Sequence, residues 1–194
     1  MDAVVHYTFL CQRRPSTYLE VGSGYSTMFA RRAITDHDRP TRVVSIDPQP
    51  RADVDRLCDE VIRTPLERSD LSLLTRLEPG DVLVLDGTHT AFMNSDSVVA
   101  FLDVLPFINS GVLVVIDDIF LPSDYPPTWE GRWYGEQYLL ATMLLAGAAG
   151  WTVRFPSWYV VNDSALAARL EPVWPDTLTH FGKVAKSFWI ERQA

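Results

Sequence analysis

Thr17-Tyr18-Leu19-Glu20-Val21-Gly22-Ser23-Gly24-Tyr25-Ser26-Thr27 is the stretch whose reading decides the fold. Its first five residues predict a strand over 17–21. Gly22 and Gly24 then stand where the chain must turn sharply and leave its backbone close to a ligand, which glycine does without steric cost. From Tyr25 to Ile34, Met28, Phe29 and Arg32 recur at helical intervals. Strand, glycine turn and helix make one unit of an open α/β sheet. Such sheets bind ligands beyond the carboxyl ends of their strands, where the winding reverses.

The same unit repeats outward from this stretch. Arg42–Ile46 reads as a second strand, a short helix is expected over Asp53–Cys58, and Glu60–Arg63 as a third strand. Val82-Leu83-Val84-Leu85, bounded by Gly80 and Gly87, is an apolar run suited to a central parallel strand covered on both faces, and Gly111–Ile116 repeats that logic. Between them, Val98, Leu102 and Leu105 share one helical face over Ser97–Ile108. A helix over Glu136–Ala148 and apolar segments at Trp151–Val161 and Ser187–Glu191 complete the pattern. The expectation is a doubly wound, mostly parallel sheet with helices on both faces, in a single domain spanning residues 1–194.

Composition sets bounds on function. With 17 basic and 25 acidic side chains the formal charge is -8, and no basic cluster offers a track for nucleic acid. Cys11 and Cys58 lie in no metal-binding or disulfide pattern, no run resembles a membrane span, and no leader is evident, so a cytoplasmic protein is expected. GxSxG, P-loop and HExxH motifs are absent, and His6, His37 and His180 sit in no catalytic pattern.

The ligand of the glycine turn can be weighed from charge. A dinucleotide fold would use a third glycine where Thr27 stands, and Glu20 would crowd an anionic pyrophosphate. A ligand bearing an ammonium and a sulfonium suits Glu20 better, which favours S-adenosylmethionine over NAD. Asp47 could accept hydrogen bonds from a ribose in either case. With Ser45-Ile46-Asp47-Pro48 and Leu85-Asp86-Gly87-Thr88-His89, the stretch resembles the motifs of class I methyltransferases over roughly residues 17–120. Within that superfamily, Asp-Gly-x-His and Ile116-Asp117-Asp118 resemble small-molecule O-methyltransferases of the macrocin type. The resemblance implies that Glu20, Gly22, Ser23, Gly24 and Ser26 hold the methionine part of S-adenosylmethionine, Asp47 holds the ribose, and Leu66 or Glu67 borders adenine.

A second cluster is expected at the far strand ends. Asp86, Asp117 and Asp118 could bind magnesium through oxygen ligands, as related O-methyltransferases do, and His89 with Asp86 could serve catalysis, His89 taking a hydroxyl proton. The Glu136-Gln137 pair reads as first-turn helix chemistry. The Phe120–Tyr134 stretch, rich in proline and aromatic residues, could be a lid over a small-molecule acceptor, or Trp129 and Trp133 could simply pack the loop or a subunit interface of a homo-oligomer. About sixteen residues precede the first strand, so no long helical cap is expected and the loop or a second subunit must cover the site. Two other functions compete: an NAD-dependent oxidoreductase, and a non-catalytic binding domain of the same fold.

Overall fold

The structure is a computed structural model that describes residues 1–50, 53–173 and 185–193. Among the described residues seven strands form one sheet: β1 (Thr17–Val21), β2 (Arg42–Ile46), β3 (Glu60–Ile62), β4 (Val82–Leu85), β5 (Leu113–Ile116), β6 (Trp151–Pro156) and β7 (Phe188–Arg192), in the order β3-β2-β1-β4-β5-β7-β6. β1 to β5 are parallel, and β7 runs antiparallel to both β5 and β6. The expected doubly wound sheet is therefore present, with the reversal of winding between β1 and β4.

The register decides what meets at the ligand edge. Val21 pairs with Ile46 and with Leu85, and Leu85 pairs with Ile116, so four strands end level. The next residue of each, Gly22, Asp47, Asp86 and Asp117, falls on one rim. Because β7 returns antiparallel, with Phe188 opposite Ile116, its entry residues Lys186 and Ser187 arrive at that same rim. Nothing local in the sequence announces this last juxtaposition.

Strand alternation sends successive side chains to opposite faces. Leu19 and Val21 join one buried cluster with Leu83, Leu85, Val114 and Ile116. Tyr18 lies on the other face with Val5, Leu10, Ala30, Ile34 and Trp189, beneath α1 (Asp2–Arg13) and α2 (Tyr25–Asp36). The α1 helix was not expected from the sequence. It ends at Arg14 in the left-handed region, just ahead of Pro15.

The other helices are α3 (Ser72–Thr75), α4 (Asp96–Val99), α5 (Glu136–Leu145), α6 (Ser157–Asn162) and α7 (Ser164–Leu170). α4 continues as a π turn over Ala100–Val104 and a tighter turn over Leu105–Phe107, so the crossover expected at Ser97–Ile108 exists without being one regular helix. Pro106, which lacks an N–H, sits in that irregular end. The expected Asp53–Cys58 helix is a single 3-10 turn, Asp55–Leu57.

Candidate active site

A cleft of about 770 Å³ opens along the rim. One wall is Gly22-Ser23-Gly24 with Ser26, Asp47, Leu66 and Glu67; the other includes Asp86, Asp117, Ser187 and the first turns of α1.

The glycine loop is fixed by close approach. Gly22 has φ +80, and a Cβ there would lie 1.8 Å from the Asp86 carbonyl oxygen, so only glycine lets β1 and β4 close at this point. A Cβ on Gly24 would meet nothing within 4 Å, so that glycine keeps cleft volume free. Asp47 accepts the Ser23 N–H at 2.8 Å, the Ser23 hydroxyl at 3.2 Å and the Gln49 N–H at 2.8 Å, which locks the carboxylate while leaving acceptor capacity toward the cleft. Ser26 Oγ is buried beside the cleft with no partner at hydrogen-bonding geometry. Open volume at Gly24 and an oriented carboxylate fit a ribose-bearing ligand with a polar tail.

Glu20 departs from its expected place. It lies on the face beneath α1 and α2, fully buried, and does not itself line the cleft that its register partner Val84 reaches. Tyr18 donates to its Oε1 at 3.1 Å, and Thr27 to Oε2. Burial pushes its carboxyl up to about 7, with nearby hydroxyls working against the rise. The expectation of direct contact with the ligand's cationic groups is corrected: Glu20 supports the loop from behind.

The far cluster also differs from expectation. Asp86 and Asp117 line the cleft, whereas Asp118 and His89 are buried behind it. Lys186 Nζ bonds Asp118 Oδ1 and lies 3.7 Å from Asp117 Oδ2. His89 Nε2 lies 3.3 Å from Asp86 Oδ1 and 3.7 Å from Asp118 Oδ2, and its Nδ1 is 2.8 Å from Glu136 Oε2. Two side-chain cations thus occupy the positions between the three carboxylates. Among the described residues no group of three His, Cys, Asp or Glu side chains is arranged to hold a metal ion. The donor set does not fit magnesium, and that expectation is corrected on the ground that Lys186 and His89 already neutralise the acids.

His89 is equally unsuited to take a proton. Burial works to lower its pKa, but hydrogen bonds to Asp86 and Glu136, with the charge of Asp118, hold it well above the ordinary 6.5. It is a protonated strut with both ring nitrogens engaged. Glu136, read from sequence as first-turn helix chemistry, is its buried partner.

The aromatic stretch does not face the cleft. Phe120 packs against Tyr125, Trp129 and Trp158 at 5.9, 5.2 and 5.0 Å, and Trp129 against Tyr134 at 5.6 Å, while Trp133 is 81% exposed. No residue from 120 to 134 lines the cleft, so the packing alternative describes Trp129. Asp2, Ala3 and His6 of α1 supply that wall instead, tied down where Asp2 accepts the N–H groups of Lys186 and Ser187 at 2.9 and 3.0 Å. Sequence reasoning missed His6, Lys186 and Asp2. His37 pairs with Tyr7 near the surface, and His180 lies outside the described residues.

This sheet order, with a ligand cleft at the β1–β4 reversal, defines a class I methyltransferase fold. The profile of a methyltransferase domain family matches residues 19–119, more than half of the chain, and the protein belongs to that family. It is an S-adenosylmethionine-dependent methyltransferase. No curated protein matches the sequence. Among solved structures, the chain is similar to a Podospora anserina methyltransferase bound to S-adenosylhomocysteine (16% identity, 99% of this chain and 78% of that chain, TM-score 0.59). It is also similar to an O-methyltransferase from Bacillus cereus in complex with S-adenosylhomocysteine (16% identity, 99% and 80%, TM-score 0.57). A third is the plantazolicin methyltransferase BpumL in complex with a pentazolic desmethyl analogue and S-adenosylhomocysteine (14% identity, 98% and 84%, TM-score 0.51). At these identities the likeness is one of fold.

Proposed function

We propose that this enzyme transfers the methyl group of S-adenosylmethionine to an oxygen of a small-molecule acceptor. The observation that carries the reading is that one cleft holds the Gly22–Gly24 loop and Asp47 on one wall and the Asp86 and Asp117 carboxylates on the other. When bound, S-adenosylmethionine supplies a sulfonium methyl. The residues of this chain do the rest: Gly22, Ser23, Gly24 and Ser26 border its methionine part, Asp47 accepts from the ribose hydroxyls, and Leu66 and Glu67 flank the base. Asp86, held by His89, accepts a hydrogen bond from the acceptor hydroxyl and orients its oxygen for in-line attack. Oxygen is favoured because Asp86 on the acceptor wall can accept a hydrogen bond from a hydroxyl, with Asp117 beside it pushed up to about 8 by burial, and because O-methyltransferases share the fold.

Because a ligand that binds only the folded state stabilises it by mass action, S-adenosylhomocysteine should raise the melting temperature and NAD should not. Stabilisation by NAD alone would replace this reading with an oxidoreductase. Asp47→Ala should weaken S-adenosylhomocysteine binding by about 1–3 kcal/mol, measured by calorimetry, as buried hydrogen bonds to a charged acceptor are lost. The cytoplasm as location and a small-molecule partner belong to the same proposal.

A further inference from the structure

We infer that His6, Tyr18 and Glu20 form a proton relay that carries the proton of the acceptor hydroxyl from the cleft to a buried carboxylate. The inference rests on the methyl-transfer reading above and supplies the group that removes the proton, a role His89 cannot fill.

The geometry is a continuous chain. His6, in α1, lines the cleft although only 5% of its surface is exposed. Its Nε2 is 2.9 Å from the Tyr18 hydroxyl, and that hydroxyl donates to Glu20 Oε1 at 3.1 Å. The phenol has one proton and gives it to the carboxylate, so the proton between His6 and Tyr18 belongs to Nε2. The lone pair is then on Nδ1, to which no described residue is bonded. Tyr18 and Trp189 hold the imidazole edge-on with ring centroids at 5.5 and 5.3 Å, which fixes its orientation. A neutral imidazole that lines a ligand cleft, with one nitrogen bonded to a buried hydroxyl and the other unbonded among the described residues, is arranged to accept a proton.

The proton does not need to stay on His6. Burial pushes the imidazole down to about 4 and the Glu20 carboxyl up to about 7, so the carboxylate is the better resting place. As the acceptor proton reaches Nδ1, the Nε2 proton passes to Tyr18 and the Tyr18 proton to Glu20. Meanwhile the carbon–oxygen bond forms, the carbon–sulfur bond breaks, and the electron pair stays on sulfur. Sulfonium and carboxylate are both neutralised, so the step leaves no net buried charge, which matters most at low dielectric. The other titratable groups felt along the relay are Asp86, beside the cleft, and Cys58, near Glu20.

The test measures methyl transfer from radiolabelled S-adenosylmethionine to catechol as probe hydroxyl, with S-adenosylhomocysteine binding followed by calorimetry. His6→Gln should slow transfer by about 100-fold or more at unchanged S-adenosylhomocysteine affinity. Tyr18→Phe should slow it less, and imidazole in solution should restore part of the rate of His6→Ala. Nitrogen NMR of histidine-labelled wild-type protein should show His6 neutral at pH 7 with its proton on Nε2, and this decides the matter if catechol is not turned over or a variant does not fold. Wild-type rates in His6→Gln, loss of S-adenosylhomocysteine binding with loss of rate, or an Nδ1-protonated or cationic His6 would each overturn the relay. Failure of wild-type protein to bind S-adenosylhomocysteine would instead overturn the proposed function.

Discussion

His6 and His89 are buried to the same degree, 5% and 4% exposed, the first lining the cleft and the second behind it, yet their environments drive them to opposite charge states. His6 meets a phenol and two aromatic edges, so desolvation prevails and the ring is neutral. His89 meets Asp86, Asp118 and Glu136, whose combined pull outweighs desolvation and keeps the ring charged. Burial alone therefore says nothing about protonation. What differs is the number of carboxylates in direct reach.

The largest effect that breaks this comparison is loss of His89. His89→Ala leaves Glu136 buried without its cation, and removing one partner of a buried pair costs about 3–5 kcal/mol in unfolding free energy. His6→Ala removes no charge and leaves the Tyr18 hydroxyl still bonded to Glu20, so it should cost less, about 0.5–1.5 kcal/mol for one lost hydrogen bond. Denaturant unfolding of both variants measures the difference; equal losses would mean that the His89 cluster is not held by charge. The pH dependence carries the same signature. His89 has a folded pKa above its unfolded 6.5, so its contribution is complete below that value and is lost as pH rises through the folded pKa. His89→Ala should lack this alkaline decline.

A smaller effect separates the members of the relay. Between pH 4.5 and 6.5 the unfolded chain carries His6 protonated and Glu20 ionised, while the folded chain carries His6 neutral and Glu20 protonated. Both states bind the same number of protons, so the pair gives stability almost no slope in that window. Glu20→Gln exposes the His6 contribution, present above 6.5 and lost as pH falls toward 4. His6→Gln exposes that of Glu20, present below 4.5 and lost as pH rises through 7. Each is worth up to about 3 kcal/mol, His6 standing at about 4 against 6.5 unfolded and Glu20 at about 7 against 4.5. Parallel pH curves for the two variants would show that the residues do not form an opposed pair.

The contrast also marks how far the sequence could be read. Thr17–Val21, Arg42–Ile46 and Val82–Leu85 are strands with the bounds their apolar patterns predict, and Gly22, Ser23, Gly24 and Asp47 reach the cleft because strand ends are placed by short-range pattern. The partners of the two histidines are not local. Glu136 comes to His89 across 47 residues and Lys186 to Asp118 across 68, the latter through the antiparallel return of β7. Glu20 was misplaced for a subtler reason: its position before the glycines and its strand face are legible, but that α1 covers and buries that face is not. The single His6 carried no signal, since its partner Tyr18 is twelve residues away on a strand.

The smallest expected effect concerns the cation at the far rim, where Lys186 sharpens the contrast between the two histidine sites. Its ammonium bonds Asp118 and approaches Asp117, and these charges raise its own pKa against the opposing pull of burial. The carboxylates are thus neutralised by a tethered group that, unlike magnesium, needs no six-fold oxygen shell. Adding magnesium or a chelator should leave the melting temperature and S-adenosylhomocysteine affinity of the wild-type protein unchanged. Lys186→Met should lower stability, because Asp117 and Asp118 lose their shared counter-charge, and magnesium should then recover part of that loss as a substitute cation. Stabilisation of the wild type by magnesium would show that the ammonium yields its place to a metal, and that the acids around His89 are not neutralised by side chains alone.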